Sequence, residues 1–176
     1  MKALLLGLAG IWACAGAIAE IPPQPVAFRI GLARFERPEG WKFSRPADGI
    51  RAVLLEKTVA STPLCITFTR FPPGGGGSLE ANLDRWRGQF LSLDSPADVI
   101  RQTDIHLTTV RLAGTMKGGV PGGPSRDTPG TMLLGAILGS PEDGFVVVKL
   151  AGPATMVARE EKIFRELVVK AADQTP

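Results

Sequence analysis

The chain has 176 residues, a formal net charge of +3 at pH 7 and an apolar content of 44%. A chain of this size folds as one domain and buries about two-thirds of its unfolded surface, so it needs no disulfide or metal to hold its core. The small excess of basic residues is spread along the chain, which argues against nucleic-acid binding.

The N-terminus has the pattern of a secretory signal peptide over residues 1–19. A positively charged start and a short apolar run lead to a small-x-small cleavage site that ends at Ala19. Cleavage there is favoured over a lipid anchor at Cys14, because the bulky Trp12 fits a lipoprotein signal poorly. No later segment is long and apolar enough for a transmembrane helix in the mature chain. We therefore predict a periplasmic or secreted protein.

Cys65 is the only cysteine that remains after this cleavage. An intramolecular disulfide is then excluded, and export without disulfides points to a Gram-negative periplasm or cell surface. Free cysteines are among the most buried residues, so Cys65 is predicted to be a small buried apolar side chain within a strand. The alternatives are an intermolecular disulfide and a reactive thiol.

The first half of the mature chain predicts three strands and a helix. A Pro-rich tether covers residues 20–27, and strand-like runs follow at 28–36, 49–57 and 63–71. Four glycines at 74–77 end this pattern, and a serine then caps an amphipathic helix. Its core-facing stripe recurs at helical spacing and comprises Leu79, Leu83, Trp86 and Phe90.

The second half repeats this order. A strand is predicted at 104–113, and a Gly/Pro-rich segment at 114–130 reads as a long mobile loop. Two nearly continuous apolar runs at 131–138 and 144–150 are typical of strands covered on both faces. A helix at 153–172 closes the chain, with i,i+4 ion pairs expected for Glu161–Arg165 and Glu166–Lys170.

The order βββα-βββα predicts a single α+β domain over residues 28–172. Short connections within each strand group favour antiparallel pairing, and the two helices then cover the sheet, one on each face. The expected architecture is an antiparallel β-sheet flanked by two helices.

Several short motifs resemble those of a family of small secreted bacterial proteins, and the order of elements is similar to the PsbP-like fold. These motifs are a P-x-GW turn, an R-x-A element, a GG-rich loop, an N-x-x-RWRGQ helix and a lysine in the closing strand. The matching residues are Pro38, Gly40, Trp41, Arg51, Ala52, Gly76, Gly77, Asn82, Arg85, Trp86, Arg87, Gly88, Gln89 and Lys149. Relatives often have aromatic residues where this chain has 146–148. The resemblance implies a PsbP-like sandwich and an accessory role, and it implies no particular activity.

The glycine loop and the helix after it are the candidate binding site for an anion. Backbone N–H groups at Gly76 and Gly77 and the helix N-terminus attract negative charge, and guanidinium groups match carboxylate and phosphate geometry. The candidates are therefore these two glycines with Arg51, Arg85 and Gln89. No lysine follows the glycines, which excludes a nucleotide-binding P-loop. The alternative interpretation is that the glycines only let the chain reverse over the sheet.

The helix itself has two other predicted features. Trp86 belongs to the apolar stripe and is expected to anchor the core. Asp84 and Arg87 are spaced for a surface ion pair.

No complete catalytic set can be assembled from the sequence. His106 is the only histidine, Asp104 two residues earlier in the same predicted strand would orient it poorly, and no G-x-S-x-G elbow is present. One histidine and one mature cysteine do not make a zinc site, and we expect neither a metal nor another cofactor. The sequence therefore favours a protein that is not an enzyme.

Three hypotheses about function follow. The first is a non-catalytic binding or accessory module of the bacterial envelope with a protein partner. The second is a protein that binds a small anionic ligand through the glycine loop and the helix. The third is a hydrolase centred on His106.

Overall fold

A computed structural model of the chain describes residues 24–121 and 123–174. The predicted signal peptide, Cys14 and the first part of the predicted tether lie outside these residues. The elements are β1 (Ala27–Ile30), β2 (Ala33–Glu36), β3 (Lys42–Ser44), β4 (Val53–Val59), β5 (Thr62–Phe71), α1 (Leu79–Arg87), β6 (Phe90–Leu93), β7 (Asp98–Gln102), β8 (Leu107–Met116), β9 (Thr128–Ser140), β10 (Gly144–Pro153) and α2 (Ala154–Asp173). In this part of the chain, no helix is long and apolar enough to cross a membrane.

The main sheet has eight antiparallel strands in the order β3-β4-β5-β10-β9-β8, and both β6 and β7 pair with the outer side of β8. Strands β1 and β2 form a separate hairpin. The predicted antiparallel sheet with two flanking helices is confirmed. The predicted strand count is too low, because five strands precede α1 and five lie between the helices.

Two local predictions are wrong, and a third holds only in part. Residues 28–36 form a hairpin rather than one strand, because the chain turns at Gly31 with a positive φ of 58°. The loop predicted at 114–130 is shorter, since β8 runs to Met116 and β9 begins at Thr128, which leaves a loop of 117–127. Phe90 lies in β6 rather than in α1, although it stays buried beside the helix.

Each face of the sheet has its own core. Helix α2 and the β1–β2 hairpin cover one face, where the rings of Phe28, Phe35 and Phe68 pack with centroids 5.0–5.5 Å apart. Helix α1 packs on the other face, over β8, β9 and β10, through Leu83 and Trp86. Strand β5 alternates between the faces as predicted, with its apolar side chains toward α2.

The ion pairs of α2 differ partly from those expected. Glu161 and Arg165 pair at 3.7 Å, as predicted. Lys170 does not pair with Glu166, because its Nζ lies 2.6 Å from Glu36 Oε2 in β2. Lys170 therefore joins α2 to the hairpin, whereas sequence spacing alone predicts an ion pair within the helix.

Two polar contacts hold together the elements on the side of the sheet that α2 covers. Lys57 of β4 donates to the buried carboxylate of Glu160 at 2.8 Å, and the Lys57 Nζ also lies 5.8 Å from the centroid of the Trp41 ring. The predicted tether is bound where the structure describes it, since the carbonyl of Pro25 accepts from Arg37 Nε at 2.8 Å. Trp41, in the P-x-GW turn, is therefore part of the core.

Candidate functional site

Asn82 organises the junction between the glycine loop and α1. Its side chain is buried, with 1% of its surface exposed, and its Nδ2 donates to the carbonyls of Gly76 at 3.0 Å and Ser78 at 2.9 Å. Its Oδ1 accepts from Arg85 Nη1 at 2.8 Å. The Ser78 hydroxyl caps the helix by accepting from the Ala81 N–H. Every polar atom of the Asn82 side chain is thus used to fix the loop on the helix.

Gly76 lies where a side chain cannot fit. It has a φ of +75°, and an added Cβ would lie 2.5 Å from the Phe71 ring and 2.7 Å from the Phe145 ring. These two rings pack with centroids 5.0 Å apart. The loop therefore reverses directly over an aromatic pair, which explains the need for glycine.

The rest of the glycine loop has few free donors. The N–H of Gly74 donates to the Pro141 carbonyl at 2.8 Å, and that of Gly75 donates to the Pro72 carbonyl at 2.9 Å. Gly77 lies beside the Arg85 guanidinium, with an added Cβ 4.0 Å from its Nη2. The N–H groups of Gly74 and Gly75 are therefore not available to an anion.

Arg51 is held by an acidic partner of its own. Its guanidinium pairs with Asp48 in the loop before β4, and the backbone N–H groups of Arg51 and Ile50 also donate to Asp48. These hydrogen bonds lower the pKa of Asp48 to about 2. Within the described residues, no hydrogen bond or ion pair joins Arg51 to Arg85 or Gln89.

Gln89 instead meets Lys149. The Lys149 Nζ donates to Gln89 Oε1 at 3.5 Å, and in the sheet Lys149 lies between Thr67 of β5 and Gly135 of β9. Burial lowers the pKa of the half-buried Lys149. No carboxylate of the described residues lies within ion-pair distance of it. Lys149 was not predicted as a site residue, although a single charged residue inside the apolar run GFVVVKL could have indicated it.

The other residues of the RWRGQ motif have structural roles. Trp86 is buried, and its indole ring lies so close to Gly135 that an added Cβ would be 2.5 Å away. Its predicted role as a core anchor is confirmed. Arg87 pairs with Asp84 at 2.9 Å, also as predicted. Gly88 follows the last helical residue and accepts from Lys117 Nζ at 2.7 Å.

An open apolar cleft of about 300 Å³ lies between the start of α1, the segment after β7 and the β9–β10 turn. Its apolar lining consists of Leu79, Leu107, Ile137, Pro141 and Phe145. Small-molecule and anchor-residue sites have this character, with apolar walls and a few polar groups at the mouth.

Arg101, Thr103 and His106 lie at the mouth of this cleft. The Arg101 guanidinium is paired with Glu80 Oε1 at 2.6 Å. His106 ends the short 3₁₀ turn in a left-handed conformation, with a φ of +48°, and its carbonyl accepts from the Gly139 N–H at 3.0 Å. The backbone of His106 therefore braces the cleft against β9.

The side chain of His106 has no catalytic arrangement around it. It makes no hydrogen bond to Asp104 or to any other side chain in the described part of the molecule, and it is exposed. The described residues also contain no group of three His, Cys, Asp or Glu placed to hold a metal ion.

No protein-family model matches the chain, and no curated protein matches it. Among solved structures, the chain is similar to the solution structure of cyanobacterial PsbP (CyanoP) from Synechocystis sp. PCC 6803. The identity is 12% and the TM-score is 0.44, over 77% of this chain and 83% of that chain. Such a likeness concerns the arrangement of the elements and says nothing about what this chain binds.

Proposed function

We propose that the protein is an exported, non-catalytic binding module of the bacterial envelope, and that its apolar cleft receives an apolar group of a protein partner. The observation that carries this proposal is the open cleft of about 300 Å³ beside α1. Protein partners commonly insert one or two apolar anchor residues into such a depression.

Export rests on the N-terminal sequence. Residues 1–19 have the charge, the short apolar run and the cleavage site of a signal peptide. The single cysteine of the remaining chain fits a domain held together by packing rather than by disulfides.

The mouth of the cleft favours a partner over a substrate. The charge of Arg101 is already matched by Glu80, so an apolar group can enter without leaving this arginine unpaired. His106 is not oriented by a carboxylate, and it is therefore a contact group rather than a base.

Site-specific photo-crosslinking tests the proposal. A photoreactive amino acid placed at Thr103, at the mouth, is expected to capture one protein in the bacterium that makes the chain. The same amino acid at Lys162, on α2 and 87% exposed, is the matched control and is expected to capture nothing above background.

Affinity measurements on the purified partner complete the test. Thr103→Trp is expected to obstruct the cleft and weaken binding by about tenfold or more, whereas Lys162→Trp leaves it unchanged. Equal affinity for both variants, or crosslinking from Lys162 alone, would refute a binding site at the cleft.

A further inference from the structure

We propose that Lys149 and Gln89 form a second binding site, for the oxyanion of a carboxylate or phosphate group, on the sheet face beside α1. This site shares no residue with the lining of the apolar cleft. It revises the anion site expected from sequence, because it retains Gln89 and adds Lys149.

The first reason is the unmatched charge of Lys149. Its ammonium group is half-buried between β5 and β9, and its one side-chain hydrogen bond is to the neutral amide of Gln89. Buried charges in proteins are normally paired, and none of the described carboxylates pairs with this one. A bound anion would supply the missing partner and would offset the burial that lowers the pKa of Lys149.

The second reason is that the neighbouring groups are donors. An ammonium group can only donate, so the amide of Gln89 turns its Oε1 toward Lys149. The two N–H groups on Gln89 Nε2 then point away from the lysine and can donate to a ligand. An oxyanion that approaches the lysine therefore meets further donors and no competing carboxylate.

Arg85 is not part of this site. Its guanidinium is held by Asn82 Oδ1 and lies beside Gly77, toward the start of α1, whereas Gln89 follows the end of the helix.

The negative charge on this face lies at a distance. Glu56 of β4 is on the same side of the sheet, but β5 separates it from β10, and its carboxylate accepts from the Ser44 hydroxyl at 3.5 Å. The carboxylates of α1, Glu80 and Asp84, are paired with Arg101 and Arg87, so neither competes with an anion for Lys149.

The test is a titration of the protein with inorganic phosphate and with acetate, at ionic strength kept constant with sodium chloride. The side-chain amide resonances of Gln89 and the thermal midpoint report binding. We expect saturable shifts of the Gln89 resonances, and a Lys149→Met variant is expected to bind about tenfold more weakly or worse. Lys162→Met, which removes an exposed lysine, should bind like the unmodified protein.

A second variant separates binding from folding. Gln89→Glu places a carboxylate beside Lys149, so it should occupy the site internally and abolish anion binding, while the thermal midpoint without anion stays the same or rises. Saturation by phosphate alone, by acetate alone or by both supports the site and identifies the oxyanion. The proposal is refuted if neither probe saturates, or if the Lys149→Met and Gln89→Glu variants bind both probes as the unmodified protein does.

Discussion

Cys65 illustrates how one residue takes its chemistry from its position in the sheet. It lies on the polar side of β5, opposite Glu56 of β4, and it is half-buried rather than fully enclosed. Burial, with a smaller effect from the Glu56 charge, raises the pKa of the thiol from 9.0 to about 11. The side chain is thus an inert thiol at neutral pH; its predicted place in a strand is confirmed, but it is only partly buried.

This pKa predicts slow alkylation of the folded protein. Because the thiolate is the reactive form, Cys65 should react with iodoacetamide at pH 8 about a hundredfold more slowly than the same thiol in urea. The rate should climb until the pH passes about 11. Measurement by mass spectrometry checks this, and equal rates in the folded and unfolded states would contradict it.

The same shift affects stability in alkaline solution. The folded pKa is raised, so the protonated thiol stabilises the fold below pH 9, and this contribution is lost as the pH rises from 9 toward 11.

At the scale of elements, the glycine loop and α1 fold as one unit through Asn82. The loop must approach the Phe71–Phe145 pair closely, and only Gly76 makes that approach. Gly74 shares the positive φ but has open space around its Cα. Substitutions at Gly74 and Gly76 therefore distinguish the cost of packing from the cost of backbone conformation.

A matched pair of substitutions tests this. Gly74→Ala should cost about 1–2 kcal/mol of unfolding free energy, from the left-handed backbone alone. Gly76→Ala should cost at least about 3 kcal/mol, because the aromatic pair must also move. Urea denaturation measures both, and equal losses would mean that the rings adjust freely.

The elements that sequence patterns predict well are those with strong periodicity. The apolar runs of β9 and β10 and the stripe of α2 identify these elements because burial determines which residues occupy them. Strands β6 and β7 lack such a run and pair only along the outer side of β8, so local sequence does not reveal them. Phe90 continues the helical spacing of α1 beyond the point where Gly88 ends the helix.

Local sequence patterns likewise predict only part of the candidate site. Helical spacing predicts Arg85 and Gln89 on one edge of α1, but the helix ends at Arg87 and Gln89 lies in the turn that follows. Lys149 reaches Gln89 only because β10 pairs between β5 and β9, and that pairing links residues sixty positions apart. The cleft is likewise built from four separate segments, so no local pattern points to it.

At the scale of the whole molecule, the two faces of the sheet are covered to different extents. Helix α2 and the hairpin enclose one face, and the Lys57–Glu160 pair ties that layer to β4. The shorter α1 covers the other face only in part, and both proposed binding sites flank it. Both proposed binding sites thus lie on the face that α1 covers, opposite the face that α2 and the hairpin enclose.

Removal of the Lys57–Glu160 ion pair should lower the free energy of unfolding without affecting either proposed binding site. The Glu160 side chain is 6% exposed and that of Lys57 is 25% exposed, so Glu160→Ala is expected to cost about 2–3 kcal/mol by leaving the ammonium group unpaired. Glu166→Ala, which removes an exposed pair with Lys162, should cost under about 1 kcal/mol. Chemical denaturation measures the unfolding free energy of both variants. Similar losses would show that the Lys57–Glu160 pair contributes no more than an exposed ion pair.

The arrangement of short strands at both margins of the sheet has a further consequence. At one margin β3 has only three residues, and at the other β6 and β7 shield β8. Long unpaired strand edges serve as templates for fibre growth, so the folded molecule offers little surface for self-association of this kind. The strands with the highest aggregation risk, β9 and β10, are enclosed at the centre and become available to other molecules only on unfolding.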